Sequence, residues 1–134
     1  MKIIPSTEHA GIAGKVGSQF SGAVYPYMTM PSTDGVVINT VNFTPCARTY
    51  WHSHEGGQIL IVLAGRGLIQ AEGGPVRILR AGDTVWAPPG ERHWHGAAPN
   101  HLMIHLAVQQ ADAAGNSVAW LEHVTDADYN RRGV

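Results

Sequence analysis

Trp51-His52-Ser53-His54-Glu55-Gly56-Gly57-Gln58 is the stretch on which the reading of this chain turns. Residues two apart on an extended strand point to the same face. His52 and His54 therefore project together, and the Gly-Gly pair lets the chain bend so that the Gln58 amide oxygen joins them. His93-Trp94-His95 repeats the spacing downstream. Three imidazoles and an amide oxygen aimed at one point suit a divalent transition metal.

Working outward, the segments on either side read as short strands. Val36 to Phe43 is β-branched, and Arg48 to His54 carries the first histidine pair. Gln58 to Leu63 is a short apolar run of buried-strand type, which the spacing ends at a turn over Ala64-Gly65-Arg66-Gly67. Leu68 to Ala71 and Val76 to Leu79 form a hairpin. Thr84 to Ala87 bends through Pro88-Pro89-Gly90 into His93 to Gly96. On the strand from Leu102 to Val108, Met103 and His105 share one face while Leu102, Ile104 and Leu106 share the other.

Val24 to Met30 is a further strand, with a turn over Pro31 to Gly35, and Val118 to His123 is the last. Thr125 followed by acidic residues predicts a single helical turn over Asp126 to Arg131. No segment of useful length has the helical period. Many short strands at close spacing define an all-β sandwich or barrel. The expected organisation is one domain over 1–134, with an N-terminal arm and edge strand over 1–35, a barrel over 36–124 and a tail over 125–134.

Composition narrows the function. The net charge is −1 with no basic or acidic block, which argues against nucleic acid and against an anionic membrane surface as partners. Residues 1–22 hold no continuous apolar run for a signal peptide or membrane span. The only cysteine is Cys46, so no internal disulfide forms and the cytoplasm is the expected location. Cys46 reads as a buried spectator thiol, and Arg48 and Arg66 as surface or turn charges.

His52, His54, Gln58 and His93 form a neutral donor set. A bound ion would keep its full charge and act as a strong Lewis acid, with positions left open for substrate or water. Imidazole and amide donors suit Mn(II), Fe(II), Co(II), Ni(II) or Zn(II), and affinity order alone does not choose among them. His95 shares the inward face with His93, and His105 faces inward from the next long strand. These are two candidate acid–base groups, with ordinary values near neutral pH.

The histidine-bearing segments resemble the two motifs of the cupins. The first, commonly written G-x5-H-x-H-x3,4-E-x6-G, is matched by Cys46-x5-His52-x-His54-x3-Gln58-x6-Gly65. The second, G-x5-P-x-G-x2-H-x3-N, is matched by Gly82-x5-Pro88-x-Gly90-x2-His93-x3-Ala97. Cys46, Gln58 and Ala97 depart from the pattern, and of these only Gln58 is a ligand position. The resemblance implies a single-domain jelly-roll barrel (a double-stranded β-helix).

Further runs are similar to the small bacterial manganese-dependent cupin hydroxynitrile lyases. They are Ala47-Arg48-Thr49, Gln58 to Val62, Gly90 to Pro99 and Glu122 to Asp126. That similarity implies Mn(II) on His52, His54, Gln58 and His93, with His95, His105 and Thr49 lining the reaction chamber. It implies a carbon–carbon lyase acting on a cyanohydrin, or on an aldehyde and cyanide in reverse. His105 would take the hydroxyl proton while His95 and Thr49 stabilise the departing cyanide.

The competing readings are a metal-dependent cupin dioxygenase and a small-molecule-binding cupin without catalysis. A sugar-acid or dienelactone-type enzyme ranks lower, because it would want inward-facing Arg or Lys. Exposed strand edges and an N-terminal arm predict a homodimer or homotetramer.

Overall fold

The computed structural model describes residues 1–8, 10–11 and 19–131, so parts of the expected N-terminal arm and the end of the C-terminal tail lie outside the described residues. The strands are β1 (Ala10–Gly11), β2 (Phe20–Ser21), β3 (Val24–Thr33), β4 (Val36–Phe43), β5 (Arg48–Thr49) and β6 (His52–Ser53). They continue as β7 (Gln58–Ala71), β8 (Arg77–Arg80), β9 (Thr84–Ala87), β10 (His93–Ala97), β11 (Met103–Gln110) and β12 (Ala119–Trp120). One short helix, α1 (Asp126–Asn130), follows.

All pairings are antiparallel, in the order β1-β3-β4-β11-β7-β10-β5-β2, with β8 and β9 on β7 and with β6 on β10 and β12. The path wraps into a nearly closed barrel, the all-β architecture expected.

The long strand β7 makes the wrap possible. Its first half pairs with β11 and β9, and its second half with β10 and β8. The turn expected over Ala64 to Gly67 is absent, and the strand bends instead. Ile104 pairs with Ala64 but His105 with Val62, leaving Leu63 as an extra residue in a bulge. Bulges bend a strand and increase its twist. Gly65 sits at the bend with φ +80°, and a Cβ there would stand 1.8 Å from the Leu102 carbonyl oxygen. Only glycine permits that approach.

Other boundaries move for local reasons. β3 runs on through Pro31 to Thr33, and the turn contracts to Asp34-Gly35. Two irregularities in the β3–β4 pairing, after Met28 and after Met30, accommodate the proline, which cannot donate to a ladder. The expected strand from Arg48 to His54 breaks into β5 and β6, and the last strand shrinks to Ala119–Trp120. The helical turn is present, with the Thr125 hydroxyl accepting from the Asp128 amide.

Alternation along β11 is as read. Met103, His105, Ala107 and Gln109 are buried, and the residues between them are partly exposed. Inside the barrel, Val24, Phe43, Leu60, Val62, Met103 and Ala107 belong to one apolar cluster. A second cluster packs on the outside of β10, where Trp94 and Leu68 meet Val124 and Tyr129 of the C-terminal segment. Burial on both faces of β10 holds His93 and His95 rigidly.

Arg48 is a correction. It is buried beneath the C-terminal segment rather than at the surface. Its guanidinium donates to the Val124 carbonyl and to Asp126 at 2.7 Å, and it lies over the Tyr129 ring. Cys46 is the reverse case: its thiol is exposed, in a turn at φ +70°.

Candidate metal centre

The chain turns through Glu55-Gly56-Gly57, closed by the Gly57 amide donating to the His54 carbonyl at 3.0 Å. The turn carries the chain from β6 to the start of β7, so Gln58 re-enters the barrel beside His52 and His54. His93 pairs directly with His52 across β10 and β6. The rings of His52 and His93 have centroids 4.5 Å apart, those of His52 and His54 5.1 Å, and those of His54 and His93 5.7 Å. The four residues expected to converge do so, although His54 lies just outside a strand.

Each donor is held from behind. His52 Nδ1 lies 2.8 Å from the Tyr50 carbonyl oxygen, His54 Nδ1 2.6 Å from that of Ser117, and His93 Nδ1 3.2 Å from that of Glu91. A carbonyl only accepts, so Nδ1 of His52 and of His54 carries the proton and Nε2 presents a lone pair, whereas His93 faces an acceptor at each nitrogen and has one proton for the two when neutral. The Gln58 amide nitrogen donates to Gln109 Oε1 at 2.9 Å, which turns its own oxygen inward.

The result is a cluster of acceptors. His93 Nε2 and Gln58 Oε1 are 3.1 Å apart, and His54 Nε2 is buried without a partner. Protonating His93 would relieve the contact, but burial, reinforced by the neighbouring His54, pulls its pKa down to about 4. Burial also lowers His52 well below the ordinary imidazole value, and lowers His54 as well. Neutral imidazoles facing an amide oxygen fit a cation, and this set fits a divalent metal.

His95 and His105 are a contacting pair, with His95 Nδ1 3.0 Å from His105 Nε2. His95 Nε2 and His105 Nδ1 are buried without partners. The rings of His95 and His52 have centroids 5.1 Å apart, whereas His105 packs against Phe43 at 5.3 Å. His95 thus stands between the cluster and His105. Burial lowers both, His105 to about 4, so their titration lies below the neutral range expected of them. Thr49 is buried, and its hydroxyl oxygen accepts from the His95 amide at 3.2 Å.

Among the described residues, His52, His93 and His95 bring ligand-capable nitrogens within 4.8 Å of one another. His54 falls outside that group, but its Nε2 is buried without a partner. Its tautomer is set by a backbone carbonyl, whereas the tautomer of His95 depends on a second imidazole that exchanges roles with it.

Thr49, His52, His54, Gln58, His95 and His105, but not His93, line a cavity of about 270 Å³ whose wall includes Phe20, Met28, Phe43 and Trp120. None of the described residues lining it is charged. Sequence reasoning missed Gln109, Ser117, Phe43 and Asn39, which also line it. Gln109 and Phe43 were within reach, because strand alternation puts them on the inward faces of β11 and β4. Ser117 lies in irregular chain and carried no signal.

An inward-facing imidazole cluster inside a jelly-roll barrel defines a cupin. The chain belongs to that family, whose description "Cupin domain" matches residues 39–106. It is 47% identical over 128 residues to a protein named (R)-mandelonitrile lyase from Granulicella tundricola, covering 87% of this chain and 97% of that one. It also resembles the crystal structure of a cupin-like protein from Thermotoga maritima (TM-score 0.81, 40% identity, 89% of this chain and 90% of that chain). The polyketide cyclase RemF from Streptomyces resistomycificus shares the fold (TM-score 0.72, 19% identity, 96% of this chain and 90% of that chain).

Proposed function

We propose that the protein is a divalent-metal-dependent hydroxynitrile lyase, cleaving a cyanohydrin to an aldehyde and hydrogen cyanide or running the reverse addition. The observation that carries this reading is the 3.1 Å contact of His93 with Gln58, where Gln58 joins the wall of an aromatic-lined cavity with no charged residue among the described ones lining it. The 47% identity to a protein named (R)-mandelonitrile lyase supports the substrate class.

His52, His54, Gln58 and His93 hold the cation. Mn(II) is the first choice, and Fe(II), Co(II), Ni(II) or Zn(II) suit the same donors. The bound cation supplies Lewis acidity, lowering the pKa of the substrate hydroxyl. His105 accepts the hydroxyl proton, since burial keeps its imidazole neutral at pH 7. The 3.0 Å contact lets His95 share that proton.

The bond to the nitrile carbon then breaks, its electron pair leaving with cyanide as the hydroxyl oxygen becomes the aldehyde oxygen. Thr49, whose oxygen already accepts from the His95 amide, has its hydroxyl proton to donate to the departing cyanide. The proton held by the histidine pair completes hydrogen cyanide. The rings of Phe20, Phe43 and Trp120 suit an aryl substituent.

The test is racemic mandelonitrile cleavage, followed as benzaldehyde release with and without chelator. Chelator-sensitive release supports the lyase. Bound iron, O2 uptake and no release would replace it with the dioxygenase reading.

The protein pairs with a second copy through the outer face of β3, β4, β11, β7 and β9. That face presents Tyr25, Tyr27, Ile59, Leu63, Leu106 and Trp86, with partial to substantial exposure. Its other outward residues are also uncharged, so a two-fold contact brings no like charges together. An exposed lone thiol at Cys46 fits a reducing cytoplasm. No described helix is long and apolar enough to cross a membrane.

A further inference from the structure

Gln58 is a ligand only in one of its two amide orientations. With Oε1 inward it offers a lone pair; turned over, it offers N–H protons that repel a cation. Nothing about Gln58 itself selects between them. The selection comes from behind, along a chain of side chains. Gln58 Nε2 donates to Gln109 Oε1 at 2.9 Å, and Gln109 Nε2 donates to Ser117 Oγ at 3.0 Å.

An amide is a donor at one end and an acceptor at the other, so orientation propagates along such a chain. In the structure Ser117 Oγ accepts from Gln109 Nε2, which leaves Gln109 Oε1 to accept from Gln58. Ser117 also accepts from His54 Nδ1 at 2.6 Å through its backbone carbonyl. One residue in the segment between β11 and β12 thus orients two of the four donors. Gln58 and Gln109 are both buried, which keeps bulk water from replacing the bond between them.

We propose that Gln109, backed by Ser117, is a positioning residue for the metal: it holds the Gln58 oxygen toward the cation by accepting from the Gln58 amide nitrogen. This rests on the cation reading given above. Outer partners of metal ligands are commonly worth about 10–100-fold in metal affinity.

The test is a Mn(II) titration of the chelator-treated full chain, read by calorimetry and by the free Mn(II) electron paramagnetic resonance signal. Four proteins are compared: the unaltered chain, Gln109→Leu, Gln58→Glu and the double variant. A carboxylate at 58 presents oxygen in either orientation and needs no orienting partner. The expected result is about 10–100-fold weaker binding for Gln109→Leu alone. Adding Gln109→Leu to Gln58→Glu should cost less than roughly threefold, because the coupling is lost.

Equal losses in both backgrounds would overturn the proposal, because packing alone would then explain Gln109. Unchanged affinity in Gln109→Leu would overturn it too, with the cation reading intact. No Mn(II) binding by the unaltered chain would overturn both.

Discussion

His93 Nε2 faces Gln58 Oε1 across 3.1 Å while its Nδ1 faces the Glu91 carbonyl oxygen at 3.2 Å, so the neutral ring has one proton for two acceptors. With that proton on Nδ1, donated to the Glu91 carbonyl, and with the Gln58 amide nitrogen donating to Gln109, a lone pair on Nε2 faces one on Gln58 Oε1. The two lone pairs repel each other unless a cation lies near both. Removing one of them should therefore remove the cation. His93→Ala is expected to weaken Mn(II) binding by more than roughly 100-fold, beyond the range typical of outer-shell partners. Inductively coupled plasma analysis of the purified variant checks it, and near-stoichiometric metal would contradict the assignment.

A cation that binds only the folded state stabilises it. At 100 times its dissociation constant the gain is about 2.7 kcal/mol, which for a domain of this size shifts the thermal midpoint by on the order of 10 °C. Calorimetric scans with Mn(II) and with chelator read the difference directly.

Without metal, the buried imidazoles make the fold acid-sensitive. His93 and His105 have folded values of about 4, below the ordinary 6.5 that applies on unfolding. Between those values the unfolded chain binds more protons, so stability rises with pH across the window. It is fully present above about 6.5 and is lost as pH falls toward 4. Denaturant midpoints of the chelated protein at pH 7, 6 and 5 should decrease in that order.

Much of the fold was legible because its strands alternate cleanly. Burial along β11 follows the period-two pattern of its sequence, and that pattern already placed His105 inward. The misreading at Ala64 to Gly67 has a plain cause: glycines that mark turns also mark bulges, and the Leu102 carbonyl that demands Gly65 is distant in sequence. Arg48 looked like a surface charge because its partners, Val124 and Asp126, come more than seventy residues later. The donors of the metal centre could be read from spacing. Their contacts with Gln109 and Ser117 could not, because those partners lie more than fifty residues further along the chain.

Cys46 stands where the cupin pattern has glycine, and the structure explains that preference. Its φ of +70° lies in the left-handed region, which costs a residue bearing a Cβ roughly 1–2 kcal/mol. Part of that gain is offset by the greater freedom of glycine in the unfolded chain. Cys46→Gly is expected to stabilise the protein by up to about 1 kcal/mol, raising the thermal midpoint by a few degrees. A lowered midpoint would show that the thiol contact to the Pro99 carbonyl matters more than the backbone.

His105 touches none of the proposed ligands directly and meets the cluster through His95. His105→Ala should leave metal content unchanged and lower turnover by about 10²–10⁴, the usual worth of a positioned acid–base group. Loss of metal in that variant would make His105 structural instead.

The outer face of the sheet predicts the oligomer. Leu106 lies near its centre, paired with Thr40 on one side and Ile61 on the other. Leu106→Lys should convert a dimer or larger assembly to monomer in size-exclusion chromatography with light scattering, with the circular dichroism spectrum unchanged. A monomeric unaltered chain would contradict the pairing.

The most direct measurement is to strip the protein with chelator, titrate Mn(II) back, and follow mandelonitrile cleavage at each addition. The account predicts no cleavage in the stripped protein and activity rising linearly to a break at one Mn(II) per chain. Full cleavage in the stripped protein, or saturating metal without cleavage, would contradict it.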